Sequence, residues 1–185
     1  MTERHAHVCP VALAGLLDSR LRGWVQSPYR LLAPYVREGM TALDFGCGPG
    51  FFTLELARLV GPSGRVVAVD LQEGMLERVR AKTRGTSLEP RVTLHPGQED
   101  RIGLSTHFDF ALAFYVLHEL PDPEAFLIEM RQLLAPHGQL LVVEPPLHVS
   151  RAAFESSLRL ALRSGLRLAD RPRRRFDKAA LLVPA

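Results

Sequence analysis

The sequence predicts an α/β fold of three layers, in which a mainly parallel sheet of seven strands lies between helices and carries an antiparallel edge strand. Two observations lead to this prediction. Short apolar segments alternate with amphipathic segments of about 10 to 14 residues, which is typical of right-handed βαβ crossovers. The last two apolar segments follow each other without a helix between them, which indicates an antiparallel pair.

The individual elements follow from local patterns. Apolar runs that end in glycine, acidic or turn residues predict strands at 41–45, 65–71, 92–95, 108–114, 139–144, 166–170 and 179–183. Helical spacing of apolar residues predicts helices at 51–60, 73–82, 122–134 and 152–163, with two further candidates at 12–21 and 29–36. Pro136 and Gly138 are expected to end the helix over 122–134.

Length and composition indicate one globular domain over residues 1–185. The chain is 46% hydrophobic and 23% charged, the balance of an ordinary globular protein. No apolar run approaches the roughly 20 residues that span a bilayer, so we expect a cytoplasmic protein without a membrane partner. Two cysteines, Cys9 and Cys47, are too few for a disulfide framework, and we expect free thiols.

Positive charge is concentrated at the carboxyl end of the chain. Residues 151–185 hold nine Lys or Arg against three acidic residues, and four of the nine lie in the run Arg171-Pro172-Arg173-Arg174-Arg175. Such a run can contact phosphates or an anionic substrate, or it can be a solvated turn. The sequence leaves both interpretations open.

A glycine-rich loop follows the first predicted strand. Gly46, Gly48 and Gly50 allow the chain to turn sharply and let a ligand approach bare backbone. Asp70 ends the second predicted strand, where a carboxylate can accept hydrogen bonds from both hydroxyls of a ribose. Because the carboxyl ends of parallel strands share one edge, we expect the loop and Asp70 to form one site.

The spacing of the glycines argues against a dinucleotide site. The pattern is GxGxG, and Phe51 occupies the position of the third glycine in the GxGxxG of dinucleotide-binding folds. Asp44 lies just before the loop, where its charge would repel a pyrophosphate and attract an ammonium group. A nucleotide-dependent oxidoreductase is therefore the weaker alternative.

The loop Asp44-Phe45-Gly46-Cys47-Gly48-Pro49-Gly50, with Asp70 and the later stretch FDFALAFYVLHEL, resembles the small, single-domain class I S-adenosylmethionine-dependent methyltransferases over about residues 28–144. The resemblance implies a Rossmann-like three-layer sandwich. It also implies S-adenosylmethionine as the cofactor, leaving as S-adenosylhomocysteine. The cofactor-binding residues that it implies are Asp44, Gly46, Cys47, Gly48, Gly50, Asp70, Leu71, Met75, Gly97, Gln98, Glu99 and Phe114.

Two of these positions need comment. Many relatives have an aspartate facing the adenine amino group where this chain has Gln98, whose amide oxygen can still accept that hydrogen bond. Met75 either packs on the adenine or is an ordinary core methionine. The resemblance further implies that residues 1–36 form a helical lid over a core of residues 37–185, with Trp24 and Tyr29 either lining the substrate or anchoring the lid.

The chemistry requires little from the protein, because the methyl group of a sulfonium is already activated and needs mainly an acceptor placed in line. Tyr115 and His118 follow the fourth strand and are candidate catalytic residues. His118 can take a proton from the acceptor, or it can merely orient a loop. The predicted acceptor-binding residues are Tyr29, Tyr115, His118 and Glu144, the last of which can instead cap its strand.

The amino terminus holds His5, His7 and Cys9, which are metal-ligand types within five residues. We expect no metal site, because a fourth ligand is missing nearby. Cys9 can alternatively hold a thiol or arsenite acceptor, although arsenite methyltransferases use more cysteines than this chain has.

The favoured function is transfer of a methyl group to a small-molecule acceptor by direct in-line displacement, because few residues remain for a macromolecular platform. An RNA or protein methyltransferase is the alternative that the basic tail supports, and a cofactor-binding module without catalysis is the other. We expect a monomer or homodimer that binds no nucleic acid. The acceptor atom is left open.

Overall fold

The computed structural model describes residues 27–98, 100–173 and 177–185. Its strands are β1 (Thr41–Phe45), β2 (Arg65–Asp70), β3 (Val92–Pro96), β4 (Phe108–Phe114), β5 (Leu134–Glu144), β6 (Leu166–Asp170) and β7 (Lys178–Pro184). Its α-helices are α1 (Pro28–Leu32), α2 (Thr53–Leu59), α3 (Glu73–Thr83), α4 (Pro123–Leu133) and α5 (Arg151–Arg163). Single 3₁₀ turns occupy Glu89–Arg91 and Leu117–Glu119.

The seven strands form one sheet in the order β3-β2-β1-β4-β5-β7-β6. Strands β1 to β5 pair in parallel, while β7 runs antiparallel to both β5 and β6. The edge strand β6 therefore joins the sheet through an antiparallel pair, as the absence of a helix before β7 predicts. The predicted fold class is confirmed.

Alternation along β4 explains why the sheet is covered on both faces. Phe110, Leu112 and Phe114 pack into the apolar layer that contains α1 and α2, whereas Ala111 and Ala113 pack into the layer that contains α4 and α5. Successive side chains of a strand point to opposite faces, so a central strand without polar alternation requires helices on both sides. The unbroken apolar run from Phe110 to Phe114, which follows the exposed Asp109, is therefore typical of such a strand.

The strand order indicates at which edge of the sheet a ligand is expected to bind. The chain continues from β1 towards β3 on one side and from β4 towards β5 on the other, so the order reverses between β1 and β4. In open α/β sheets, ligands bind at this switch point, outside the carboxyl ends of the strands. Lys178 pairs with Glu144, and the start of β7 thus lies at the same edge as the ends of the parallel strands.

The boundary between α4 and β5 differs from the prediction. The helix ends at Leu133, and β5 begins at Leu134, five residues before the predicted start at 139. Pairing passes from Phe108–Leu134 directly to Phe110–Gln139, so the residues between form a large irregularity. The proline at 136 disfavours helical geometry in the residue before it. A side chain at Gly138 would lie 2.5 Å from the carbonyl oxygen of Phe108, which explains the glycine there.

The first described helix is shorter than the predicted 29–36. Ser27 caps α1 by accepting a hydrogen bond from the amide of Arg30, and Leu31 and Leu32 pack against α2. The predicted helix at 12–21 and Trp24 lie outside the described residues, as do His5, His7 and Cys9, and the lid stays a prediction. No helix in the described part of the chain is long and apolar enough to cross a membrane.

Candidate functional site

The glycine loop is held directly against the neighbouring strand. The amides of Gly46 and Cys47 both donate to the carbonyl oxygen of Val69 at 2.9 Å, which anchors the start of the loop to the end of β2. Gly46, Gly48 and Gly50 all have positive φ angles, of 70°, 52° and 88°. Only glycine adopts such angles without strain, so the backbone conformation itself requires the GxGxG pattern.

The three glycines differ in what surrounds them. A Cβ at Gly46 would lie 2.8 Å from Val116, and a Cβ at Gly50 would lie 3.0 Å from Val79. At Gly48, a Cβ would meet nothing within 4 Å among the described residues. Gly46 and Gly50 therefore serve close packing, whereas Gly48 presents bare backbone to open space in which a ligand can lie.

The carboxylate of Asp70 stands beside this open backbone. One oxygen accepts from the amide of Gly48 at 2.8 Å, and the other accepts from the amide of Gln72 at 2.9 Å. Burial raises the pKa of Asp70, and these two hydrogen bonds oppose that effect. Because each carboxylate oxygen can accept two hydrogen bonds, both oxygens can still accept one from a ligand.

Asp44 lies beneath the loop and is almost completely buried. Its Oδ2 accepts a hydrogen bond from the hydroxyl of Thr53 at 2.6 Å. Burial raises the pKa of Asp44 to about 7, with a smaller contribution from the negative charge of Asp70. The buried thiol of Cys47 has its pKa raised by burial and by the same two carboxylates. This concentration of acidic groups suits a cationic ligand.

The residues predicted to line the adenine differ in their exposure to solvent. Leu71 is 45% exposed although it is a large apolar side chain, while Met75 is only 2% exposed and belongs to the core. The amide of Gly97 donates to the carbonyl of Asp70, which brings the end of β3 beside the end of β2. The amide oxygen of Gln98 accepts from Arg101 at 2.5 Å. Glu99 lies outside the described residues.

Tyr115 adopts an unusual conformation directly after β4. It has a φ of 61°, which is strained for an aromatic residue, and its amide donates to the carbonyl of Val143 at 2.8 Å. Its ring stacks on Phe114 at a centroid distance of 4.2 Å, and its hydroxyl donates to Asp177. The residue thus joins the ends of β4, β5 and the start of β7.

His118 and Glu144 form a pair next to Tyr115. Nδ1 of His118 lies 2.5 Å from Oε2 of Glu144, and the other carboxylate oxygen accepts from the amide of Leu117 at 3.1 Å. Burial raises the pKa of Glu144 to about 7, whereas burial lowers the pKa of His118. Tyr29, the remaining predicted acceptor residue, is 58% exposed on α1.

The structure therefore gathers most predicted site residues along one edge of the sheet. It adds three residues that sequence analysis missed: Thr53 beneath Asp44, Val116 against Gly46, and Asp177 at the hydroxyl of Tyr115. No local signal marks them, because each acts through a partner that only the fold brings near. Asp177 is 62 residues from Tyr115 along the chain.

Comparison with known proteins gives a consistent result. A family model described as a methyltransferase domain matches residues 36–162. A demethylmenaquinone methyltransferase of Lactobacillus johnsonii is 31% identical over 142 residues, covering 75% of this chain and 57% of that protein. Its counterpart in Staphylococcus aureus (strain JH9) is 35% identical over 109 residues, covering 59% and 44%. The chain thus spans about half the length of these curated relatives.

Solved structures match over more of the chain. The crystal structure of a SAM-dependent methyltransferase from Aquifex aeolicus superimposes with a TM-score of 0.82 at 25% sequence identity, covering 95% of this chain and all of that chain. The shared architecture therefore extends over almost the whole chain.

Proposed function

Because this chain belongs to the family defined by that methyltransferase domain, we propose that it transfers the methyl group of S-adenosylmethionine to a small-molecule acceptor. One feature of the candidate site is the main support for binding of this cofactor. Gly48 presents open backbone directly beside the half-buried carboxylate of Asp70. This is the combination that a ligand with a ribose and a neighbouring charged group requires.

The residues present fit that cofactor. The glycine loop and the buried Asp44 would hold its amino acid part, since Asp44 and Asp70 together favour a ligand with positive charges. Asp70 would hold the ribose hydroxyls with its remaining acceptor positions. The exposed apolar side chain of Leu71, with Gly97 and Gln98, would line the adenine.

The chain's own contribution to the transfer is mainly placement. When bound, S-adenosylmethionine supplies a methyl group that its sulfonium has already activated. Val116 packs against Gly46 and so fixes the 3₁₀ turn after β4 beside the glycine loop. Tyr115 and His118 would then face the acceptor, while the buried Glu144 holds the turn through the amide of Leu117. Fixed positions of this kind lower the barrier by orienting the reactants.

A small-molecule acceptor is supported by the relatives, because two of them are named as methyltransferases of demethylmenaquinone. The basic segment before β7 supplies the argument for RNA, but Arg171, one of its two described arginines, is paired with Glu155 through two contacts of 2.5 and 2.9 Å. That pairing satisfies its guanidinium within the protein. We therefore favour the small-molecule acceptor.

A methyl-transfer assay tests this proposal. The protein is incubated with isotope-labelled S-adenosylmethionine and separate pools of quinols, phenols, thiols, amines, total tRNA and cell protein. We expect label in a small-molecule pool and formation of S-adenosylhomocysteine. Label confined to RNA or protein would contradict the acceptor class, and cofactor binding without transfer to any pool would contradict the enzymatic activity.

A further inference from the structure

Asp44 is a carboxylate buried beneath the glycine loop, and no cation among the described residues contacts it. It is 2% exposed, and its neighbours on β2 and β4 are Ala68 and Leu112, which are both buried and apolar. Oδ2 accepts a hydrogen bond from the neutral hydroxyl of Thr53 at 2.6 Å. The ionised form of Asp44 has therefore lost its water and gained only dipoles in exchange, which is unfavourable without a counter-charge.

The acidic groups nearby make the ionised form of Asp44 less favourable still. Burial is the main reason that the pKa of Asp44 rises to about 7, and repulsion by Asp70 adds to it, while hydrogen bonds from Thr53 oppose both effects. Glu119, in the turn after β4, is a third carboxylate and interacts with Asp70. The thiol of Cys47 brings no charge, because burial raises its pKa and keeps it protonated.

The basic groups on the two neighbouring helices do not neutralise this carboxylate. Lys82 of α3 donates to the carbonyl oxygen of Pro49 at 2.7 Å. Arg58 of α2 lies 2.8 Å from Glu55 of the same helix. Neither basic group lowers the pKa of Asp44. Within the described part of the chain, a proton is thus the counter-charge that the ligand-free site offers to Asp44.

We infer that Asp44 holds a proton in the ligand-free protein near neutral pH and releases it when the ammonium group of S-adenosylmethionine binds. The inference rests on the proposed function and deepens it, because it states what the amino acid part of the cofactor replaces in the site. The O–H bond of the carboxylic acid breaks, its electron pair stays on the oxygen, and the proton passes to solvent. The ammonium group keeps its own protons and supplies the missing counter-charge.

Such an exchange fixes the direction in which cofactor affinity depends on pH. Where the free protein carries the proton, binding releases it, so the affinity rises as the pH rises. Above the pKa of Asp44 in the free protein, which is about 7, no proton is left to release and the affinity levels off. We expect release of roughly one proton per site at pH 6 and nearly none at pH 8, with an affinity about tenfold higher at pH 8.

Asp70 requires a control of its own, because burial raises its pKa as well. In the proposed site, Asp70 holds the ribose, whereas Asp44 faces the amino acid part. The ligand 5′-methylthioadenosine has the ribose and the adenine but no amino acid part, and it therefore separates the two carboxylates. We expect S-adenosylhomocysteine, which carries the ammonium group, to release a proton at pH 6 that 5′-methylthioadenosine does not release.

Calorimetric titration with S-adenosylhomocysteine measures the exchange. Titrations at pH 6 and pH 8, each in two buffers with different ionisation enthalpies, give the number of protons released on binding. Asp44→Asn has no proton to release, although its amide oxygen can still accept from Thr53, so we expect the release and the rise in affinity with pH to be lost. Asp122→Asn removes a charge from an exposed helix cap and should keep the wild-type release.

Carbon-13 NMR of the aspartate carboxyl groups detects the proton without relying on affinity. The signal of Asp44 is identified as the one missing from Asp44→Asn. We expect it to titrate with a midpoint near 7 in the free protein and to stay at its ionised position from pH 6 to pH 8 in the complex with S-adenosylhomocysteine.

The outcomes separate this inference from the proposed function. Binding of S-adenosylhomocysteine at pH 6 without proton release, or with equal release by Asp44→Asn or by 5′-methylthioadenosine, would overturn the inference and leave the cofactor site intact. An Asp44 signal that is already ionised at pH 6 in the free protein would do the same. No binding of S-adenosylhomocysteine by the wild type at either pH would overturn both.

Discussion

Asp44 is a residue whose burial opposes folding and whose charge is predicted to favour binding of the cofactor. It is 2% exposed, and its hydrogen bonds from the hydroxyl and the backbone of Thr53 do not replace the water that a carboxylate loses on burial. Its pKa accordingly rises from 3.8 to about 7. Between these pH values the folded protein retains a proton that the unfolded chain releases, so this group destabilises the fold as the pH rises.

Asp44→Asn should therefore stabilise the ligand-free protein relative to the wild type, and more so at high pH. The amide stays neutral, and its oxygen can still accept from Thr53. We expect the stability difference to be roughly 2 kcal/mol larger at pH 8 than at pH 5. Urea unfolding at both pH values measures it.

Asp122→Asn controls for the loss of one negative charge, because Asp122 is an exposed helix cap that asparagine replaces well. A stability difference for Asp44→Asn that is equal at the two pH values would contradict a buried, destabilising carboxylate. The same variant should weaken binding of a ligand that carries an ammonium group, since the attracting charge is gone.

The site residues differ in how far the sequence could predict them. Gly46, Gly48 and Asp70 were predictable because positive φ angles and strand ends impose residue types at fixed spacings. Thr53 and Asp177 were not, because a hydroxyl or carboxylate becomes part of a site only through a tertiary contact. The roles assigned to all of these residues stay predictions.

Among the elements, α4 does more than cover the sheet. Glu129 on this helix accepts from the amides of Ile102 and Gly103, at 2.7 and 2.9 Å. Two charge-assisted hydrogen bonds hold the segment between β3 and β4, which begins with Gly97 and Gln98. The helix thus supports the predicted adenine side from a distance.

Glu129→Ala should destabilise the protein by about 1 to 3 kcal/mol, because two backbone amides lose their acceptor. Glu124→Ala on the same helix is the matched control. The side chain of Glu124 is 47% exposed and its contact with Arg163 is 3.7 Å long, so its removal should cost less than about 0.5 kcal/mol. Thermal or urea unfolding measures both variants, and equal effects would show that Glu129 does not anchor the segment.

The elements themselves were largely predictable, and the exception is instructive. Apolar runs and glycine turns indicated all seven strands, because a buried parallel strand has a local signature. The early start of β5 was not indicated, since Leu134 pairs with Phe108 across an irregularity that contains a proline and a glycine. Proline and glycine favour a loop locally. The hydrogen bonds of the strand before this irregularity form only because β4 lies alongside.

At the scale of the whole molecule, the antiparallel closing strands place the start of β7 at the same edge of the sheet as the candidate site. Because β7 is antiparallel to β5, its first residue Lys178 lies beside Glu144, and Asp177 reaches Tyr115. The sequence indicated an antiparallel closing pair, but local patterns do not specify that β7 inserts between β5 and β6. That order depends on the packing of the complete sheet.

The central claim is that the cofactor lies over the bare backbone at Gly48. Gly48→Ala and Gly85→Ala provide a matched pair, because both glycines have positive φ, of 52° and 70°, and neither would place a Cβ within 4 Å of another described group. Each substitution should therefore cost folding stability similarly, about 1 kcal/mol, through backbone strain. Only Gly48 adjoins Asp70.

The most direct measurement is calorimetric titration of the wild type and both variants with S-adenosylhomocysteine. We expect wild-type and Gly85→Ala protein to bind with equal affinity and Gly48→Ala to lose at least tenfold, which is about 1.4 kcal/mol. Equal affinity in all three proteins, or no binding by the wild type, would contradict a cofactor site at the glycine loop.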